Sequence, residues 1–200
     1  MAEQIICSLK KPHTANNHEI YCSVSIGIAL CPENADEVTQ LVSAADTAMY
    51  LAKQNGKDSF CFFDKSAQQK LTEKFQVAVN LRKADYNKEF TLLFQPKFNL
   101  KTLKMAGAEA LIRWNSPTLG NVSPELFIGV AESSGYINDI TQWVIKQAVK
   151  QTKSWNETSQ LTIPLRVAIN ASPLDIKRGT FVKQVLDAIY IDKLNPTWLE

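Results

Sequence analysis

The chain has 200 residues, 45% hydrophobic and 21% charged, an ordinary globular composition with room for one domain or two small ones. A formal net charge of +2 carries no polybasic signature, which argues against a nucleic-acid or anionic-membrane partner. No run is apolar for long enough to span a bilayer, and Met1-Ala2-Glu3-Gln4 lacks the basic and apolar regions of a signal peptide, so this portion reads as cytoplasmic.

Ala2 to Leu9 reads as the end of a helix that Lys11-Pro12 stops. The polar stretch from His13 to His18 reads as a loop, its histidines loop residues rather than metal ligands. Ile20 to Leu30 is rich in β-branched and apolar residues and is predicted to be a strand, with Gly27 marking a close approach or bulge and Cys31-Pro32 ending it. From Asp36 to Asn55 the residues Val38, Leu41, Val42, Ala45, Ala48, Met49 and Ala52 recur at helical spacing, and Gly56 supplies the stop. Ser59 to Phe63 is a short strand. Strand, helix and strand in this order fit the end of a small α+β domain without its beginning. Cys7, Cys22, Cys31 and Cys61 form no Cys-x-x-Cys pair and have apolar neighbours, as reduced and mostly buried thiols would.

Ser66 to Ala84 is charged and helical, with Leu71, Phe75, Ala78 and Leu81 as a narrow apolar stripe. Without Gly or Pro it is predicted to be a rigid connector, its stripe packed on the following domain or paired with a second copy of the chain. Thr91 to Gln95 and Lys104 to Trp114 are strands joined by too few residues for a crossover helix, so they should pair antiparallel and bring Gln95 near Glu109. Ser123-Pro124 opens a helix that runs to Gly135, as N-cap and first residue. Asn138 or Asp139 caps a longer helix that buries Ile140, Trp143, Val144, Ala148 and Trp155. Pro164 to Asn170 is a strand, Thr180 to Ile191 a helix, and Trp198 to Glu200 the beginning of another strand. Such alternation is the grammar of an α/β protein of the (β/α) barrel type, and the chain ends before that barrel closes.

The run from Ala106 to Trp114 sets two full charges among small and apolar residues. Strand alternation puts Glu109, Leu111 and Arg113 on one face and Ala108, Ala110 and Ile112 on the other. The apolar face suits packing against helices. The charged face needs a metal, an ion pair or an anionic ligand to offset lost hydration, and a Glu109–Arg113 pair that only holds the fold would also meet that need. Asn170 follows Val167-Ala168-Ile169 at a strand end. Its carboxamide oxygen and the Glu109 carboxylate are hard ligands suited to Mg²⁺ or Mn²⁺, while an ordinary cap of the turn at Ser172-Pro173 is the alternative role for Asn170.

Glu109-Ala110-Leu111-Ile112-Arg113 resembles the signature of EAL domains, the bacterial phosphodiesterases that linearise cyclic di-GMP to pGpG. Phe94-Gln95-Pro96, Ser123-Pro124-Glu125-Leu126-Phe127-Ile128 and Ile169-Asn170-Ala171-Ser172-Pro173 resemble that family too, in family order, over the first half of such a domain. Ser23-Val24-Ser25-Ile26-Gly27-Ile28-Ala29, the run from Ala45 to Lys53, and Gly56-Lys57 resemble the C-terminal third of a GGDEF domain, the fold of diguanylate cyclases. The resemblance implies the C-terminal part of an α+β GGDEF domain over 1–64 and a helical linker over 65–84. Over 85–200 it implies an incomplete EAL-type (β/α) barrel with an antiparallel first strand.

For the site, the resemblance implies Glu109 and Asn170 as ligands of Mg²⁺ or Mn²⁺, with Arg113 forked onto a substrate phosphate. It implies Gln95 as a pocket residue holding the dinucleotide, Pro124 as a neighbour of a guanine, and Glu200 within or just before the strand that supplies the next metal ligand. Lys53 and Lys57 match positions that contact nucleotide phosphates in GGDEF domains, but the Gly-Gly-Asp/Glu-Glu-Phe loop is absent. Two solvated lysines complementing a helix C-terminus account for them, and no cyclase activity is expected. Gly129 stands where the family commonly has Pro and is expected to loosen its helix by roughly 1 kcal/mol relative to Ala. The family's remaining acidic ligands and lysine fall beyond Glu200. The chain by itself is therefore expected to be inactive, and its intact parent to hydrolyse cyclic di-GMP. The alternative is a domain lost to catalysis that senses cyclic di-GMP or grips a protein partner. A homodimer through the EAL domain or the linker helix is the remaining implied partner.

Overall fold

The computed structural model describes residues 1–15, 18–54, 56–158 and 164–200. The chain divides into two compact units, Met1–Glu73 and Lys74–Glu200.

In the first unit, α1 (Ala2–Leu9) precedes a short antiparallel hairpin of β1 (His13–Ala15) and β2 (His18–Ile20), then β3 (Ile26–Ile28), α2 (Val38–Gln54) and β4 (Phe60–Phe62). β3 and β4 pair in parallel, with α2 as the crossover between them. Ala44, Ala48 and Ala52 recur every four residues on α2 and are buried. Gly27 explains that choice of small residues. A Cβ there would lie 1.9 Å from the Ala45 carbonyl oxygen, so strand and helix backbones meet directly.

Three expectations change in this unit. The strand predicted from Ile20 to Leu30 is confined to Ile26–Ile28, because the three residues of β4 are all the ladder it pairs with. The histidines predicted in a loop are paired residues of the hairpin instead, His13 opposite Ile20 and His18 opposite Ala15, with Asn16 and Asn17 outside the described residues, as is Asn55 at the predicted end of α2. The thiols are free, but Cys7, Cys22 and Cys31 are exposed and Cys61 half-buried. On α1 it is Ile6 that faces inward, so apolar neighbours did not imply a buried cysteine.

Helix α3 (Lys65–Leu81) runs across the division between Glu73 and Lys74. Its buried residues are Val77 and Leu81, whereas Phe75 of the predicted stripe is 70% exposed. After α4 (Tyr86–Glu89) come the long strands β5 (Phe90–Phe98) and β6 (Met105–Ser116), then β7 (Gly120–Val122), α5 (Pro124–Ser134), α6 (Ile137–Thr158), β8 (Arg166–Ile169), α7 (Pro173–Arg178) and α8 (Phe181–Asp192). β6 is the centre of the sheet. It pairs antiparallel with β5 along one edge, and along the other with β8 in parallel and then with β7 antiparallel. The predicted strand at Trp198 begins one residue later: Pro196–Trp198 is a 3-10 turn, and Leu199 bridges Val167 in parallel.

The core lies between this sheet and α5 and α6. Ala108, Ala110 and Trp114 of β6 are buried, as the alternation predicts, with Phe127 and Ala131 of α5 and Ile140, Val144 and Ala148 of α6. Trp114 stacks on Phe90 at 5.6 Å, meets Phe127 edge-on at 5.7 Å, and donates its indole N–H to Glu89 Oε2 at 3.0 Å. α6 starts at Ile137, before the predicted caps. It buries a wider face than expected, Ile145 and Val149 packing with Leu194 as well.

Candidate functional site

β6 carries Glu109 and Arg113 away from the helices, as its alternation requires. Neither is fully buried, and among the described residues the ion pairs do not include one between them. Arg113 instead donates from Nη1 to the Ile112 carbonyl at 2.8 Å. The purely structural role for the two charges therefore lacks its contact.

The register assembles a row across the sheet. Gln95 pairs with Glu109, and Glu109 with Ala168. Glu200 donates its backbone N–H to Val167 O at 2.9 Å, and its carbonyl accepts from Ile169 N at 3.1 Å, so it stands opposite Ala168 on the far side of β8. Cross-strand partners share a face. Gln95, Glu109 and Glu200 therefore share one face in one row, with the Ala168 methyl between the two acids. Two residues beyond Ala168, Asn170 leaves the end of β8 and donates Nδ2–H to Glu109 Oε1 at 2.8 Å.

One contact on this face was not anticipated. Lys97, two residues after Gln95 and thus on the same side, reaches Glu200 Oε2 at 2.6 Å. It crosses the row occupied by Gly107, its partner on β6, which has no side chain to block it. That glycine is forced: a Cβ there would lie 2.3 Å from the Arg166 carbonyl oxygen. The Lys97 ammonium, by hydrogen bond and by charge, holds the Glu200 carboxyl below the usual carboxylate range.

Arg113, Pro124 and Asn170 line one pocket of about 210 Å³ together with Ile128, Glu132 and Ser172. Its inner wall is apolar, with Ile140 and Val144 of α6. Ser172 donates its hydroxyl to Glu132 Oε1 at 2.7 Å and accepts from Leu174 N at 3.2 Å, capping α7. Ser172 was legible only as a member of a motif, and its contact with Glu132 was not legible at all. Among the described residues no three His, Cys, Asp or Glu side chains converge. The oxygen donors brought to one face are two carboxylates and one carboxamide, all hard ligands. Lys53, exposed in the last turn of α2, and Lys57, exposed in the following turn at φ 61°, belong to the first unit. There the neighbouring ion pair is Lys10–Asp58 at 2.8 Å.

Two family models match the chain: EAL domain over residues 78–200, and diguanylate cyclase, GGDEF domain, over residues 1–59. The signaling protein YkoW of Bacillus subtilis (strain 168) is 38% identical over 200 residues, covering 100% of this chain and 25% of that protein. The cyclic di-GMP phosphodiesterase PdeR of Escherichia coli (strain K12) is 38% identical over 192 residues, covering 94% of this chain and 28% of that protein. Among solved structures, the PaMucR phosphodiesterase in complex with c-di-GMP is 31% identical with a TM-score of 0.58, over 62% of this chain and 49% of that one. The chain thus spans about a quarter of the length of these curated relatives and about half of that solved structure.

Proposed function

The chain belongs to the EAL domain family, and on that footing we propose that the intact protein carrying it hydrolyses cyclic di-GMP to linear pGpG. The observation that carries this reading is the row itself: Glu109, Asn170 and Glu200 offer oxygen donors on the face that also bears Gln95, at the end of β6 that leads to Arg113. In this assignment residues 1–64 are the end of a GGDEF domain, 65–84 a linker and 85–200 the first half of the EAL domain, acting in the cytoplasm. The linker helix or the EAL domain pairs two copies.

Glu109, Asn170 and Glu200 would hold Mg²⁺ or Mn²⁺. Such an ion supplies charge neutralisation at the phosphoryl oxygens and an acidified water as nucleophile. The remaining work falls to the chain. Arg113 has five N–H donors, and those not spent on Ile112 fork onto a phosphate oxygen pair. Pro124 packs on a guanine at the pocket mouth, and Gln95 donates or accepts beside the ribose-phosphate backbone. Lys97 lies close enough to Glu200 to add a second cation facing an anionic ligand. Lys53 and Lys57 have no part in it.

Incubating the intact protein with cyclic di-GMP and Mn²⁺, and separating the nucleotides by chromatography, tests the reading. Formation of pGpG that is lost in Glu109→Gln supports it. Tight binding of cyclic di-GMP without turnover overturns it in favour of a receptor.

A further inference from the structure

The residues from Asn170 to Asp175 leave the sheet and enter a helix of only six residues. So short an element has little cooperative stability of its own to hold a side chain at a fixed place. Two side-chain hydrogen bonds fasten it. Ser172, two residues after Asn170, is bound to Glu132 of α5 at 2.7 Å, and Asp175, three residues further, accepts from Thr141 Oγ1 of α6 at 2.5 Å. The segment is thus moored to both helices that cover the sheet.

Neither mooring is what packing alone would select. Asp175 is fully buried, and its Oδ1 has no hydrogen-bond partner, which costs free energy that an apolar residue in its place would not. Glu132 places a carboxylate in a pocket whose inner wall is apolar. Polar groups kept at such places fix geometry rather than add stability. The geometry they fix is that of Asn170, whose carboxamide stands 2.8 Å from Glu109.

We propose that Glu132 is a positioning residue: through the Ser172 hydroxyl it holds the Asn170 carboxamide beside Glu109, where a turn about its last torsion brings its oxygen onto the divalent cation that the two residues share. This rests on the reading of Glu109 and Asn170 as cation ligands given above. Glu132 acts on the cation through Ser172 and Asn170, as the partners of ligating residues generally do, where removal costs about 10–100-fold in metal affinity.

The test uses Mn²⁺ alone as the probe, with isothermal titration of the intact protein and of Glu132→Gln, Glu132→Leu, Ser172→Ala and the Glu132→Leu/Ser172→Ala double variant. Amide hydrogen exchange over 170–175 and the thermal midpoint are measured on the same samples. Glu132→Leu and Ser172→Ala should each weaken Mn²⁺ binding about tenfold and speed exchange. The double variant should be no worse than Ser172→Ala, which already removes the Glu132–Ser172 bond together with the cap of α7. Glu132→Gln, whose carboxamide oxygen still accepts from Ser172, should stay within about twofold of the parent, which a general loss of packing would not produce. Should Glu132→Leu not fold, Ser172→Ala against Glu132→Gln carries the comparison. Unchanged Mn²⁺ affinity in Ser172→Ala overturns the proposal while leaving the cation reading intact. Absence of Mn²⁺ binding by the unaltered protein overturns both.

Discussion

Asn170, just past the end of β8, presents its amide N–H, not its carbonyl oxygen, to the Glu109 carboxylate within the adjacent β6, across 2.8 Å. To share a cation with Glu109 the carboxamide must turn about its last torsion and offer Oδ1 instead. The hydrogen bond therefore keeps the two groups together in the absence of the ion.

Asn170→Asp replaces that hydrogen bond by a second carboxylate at the same place, and like charges so close destabilise one another. The thermal midpoint of this variant is expected to fall in EDTA by about 2–4 °C, the shift that roughly 1 kcal/mol produces in a protein of this size, and to recover with Mn²⁺. Circular dichroism with and without the ion measures it. Equal midpoints in the two conditions would count against a shared cation.

Lys97→Met is expected to let the Glu200 carboxyl rise toward its ordinary value, because the ammonium is the main cause of its lowered pKa. The sign follows from linkage. A carboxyl lowered on folding contributes stability at pH above its unfolded value of about 4.3, and that contribution is lost as pH falls through the lower folded value. Carbon-13 titration of the Glu200 side chain in both proteins checks this, and 1 M salt should narrow the difference, since the pair is exposed.

Gly129→Ala is expected to stabilise the second unit by about 0.5–1 kcal/mol. α5 runs through Gly129 without a break, the residue is exposed, and a Cβ there meets nothing within 4 Å. Urea unfolding of the two proteins gives the difference directly, and a loss of stability would contradict the helix as described.

Trp114→Ala should cost about 3–5 kcal/mol, the usual range for emptying an aromatic site in a packed core. Trp114→Phe should cost less, as the ring stack on Phe90 survives and the half-buried Glu89 carboxylate that loses its indole donor keeps its bond from Asp85 N. Denaturation followed by far-ultraviolet circular dichroism separates the two.

Long, patterned elements were legible in the sequence and short ones were not. β6 announces both its faces, and the antiparallel pairing that sets Gln95 beside Glu109 follows from the short connection alone. α7 carries the same punctuation as α5, Ser-Pro at its start and Gly at its end, yet six residues hold too little periodicity to be read as a helix. α4 and β7 escaped for the same reason, although the Asp85 side chain accepts from Asn87 N at 3.1 Å and the Glu89 side chain from Asp85 N at 2.9 Å, bracketing α4. Of the site, the donor residues could be named from their motifs. What could not be read is how distant segments meet: Lys97 with Glu200, Glu132 with Ser172 and Thr141 with Asp175 join residues 103, 40 and 34 positions apart. Such partners depend on register and helix placement, which no local pattern encodes.

Between the two acids of the row, β8 contributes one methyl group. Ala168 has no donor atom and would never be chosen as a site residue, yet it sets the width of the gap that Glu109 and Glu200 face from either side. Under the proposed role that gap is the berth of the ion, and its size is fixed by hydrocarbon rather than by any ligand. Under that same role, a chain with all three oxygen donors intact and a leucine at this one position would keep every motif and leave no room for the ion.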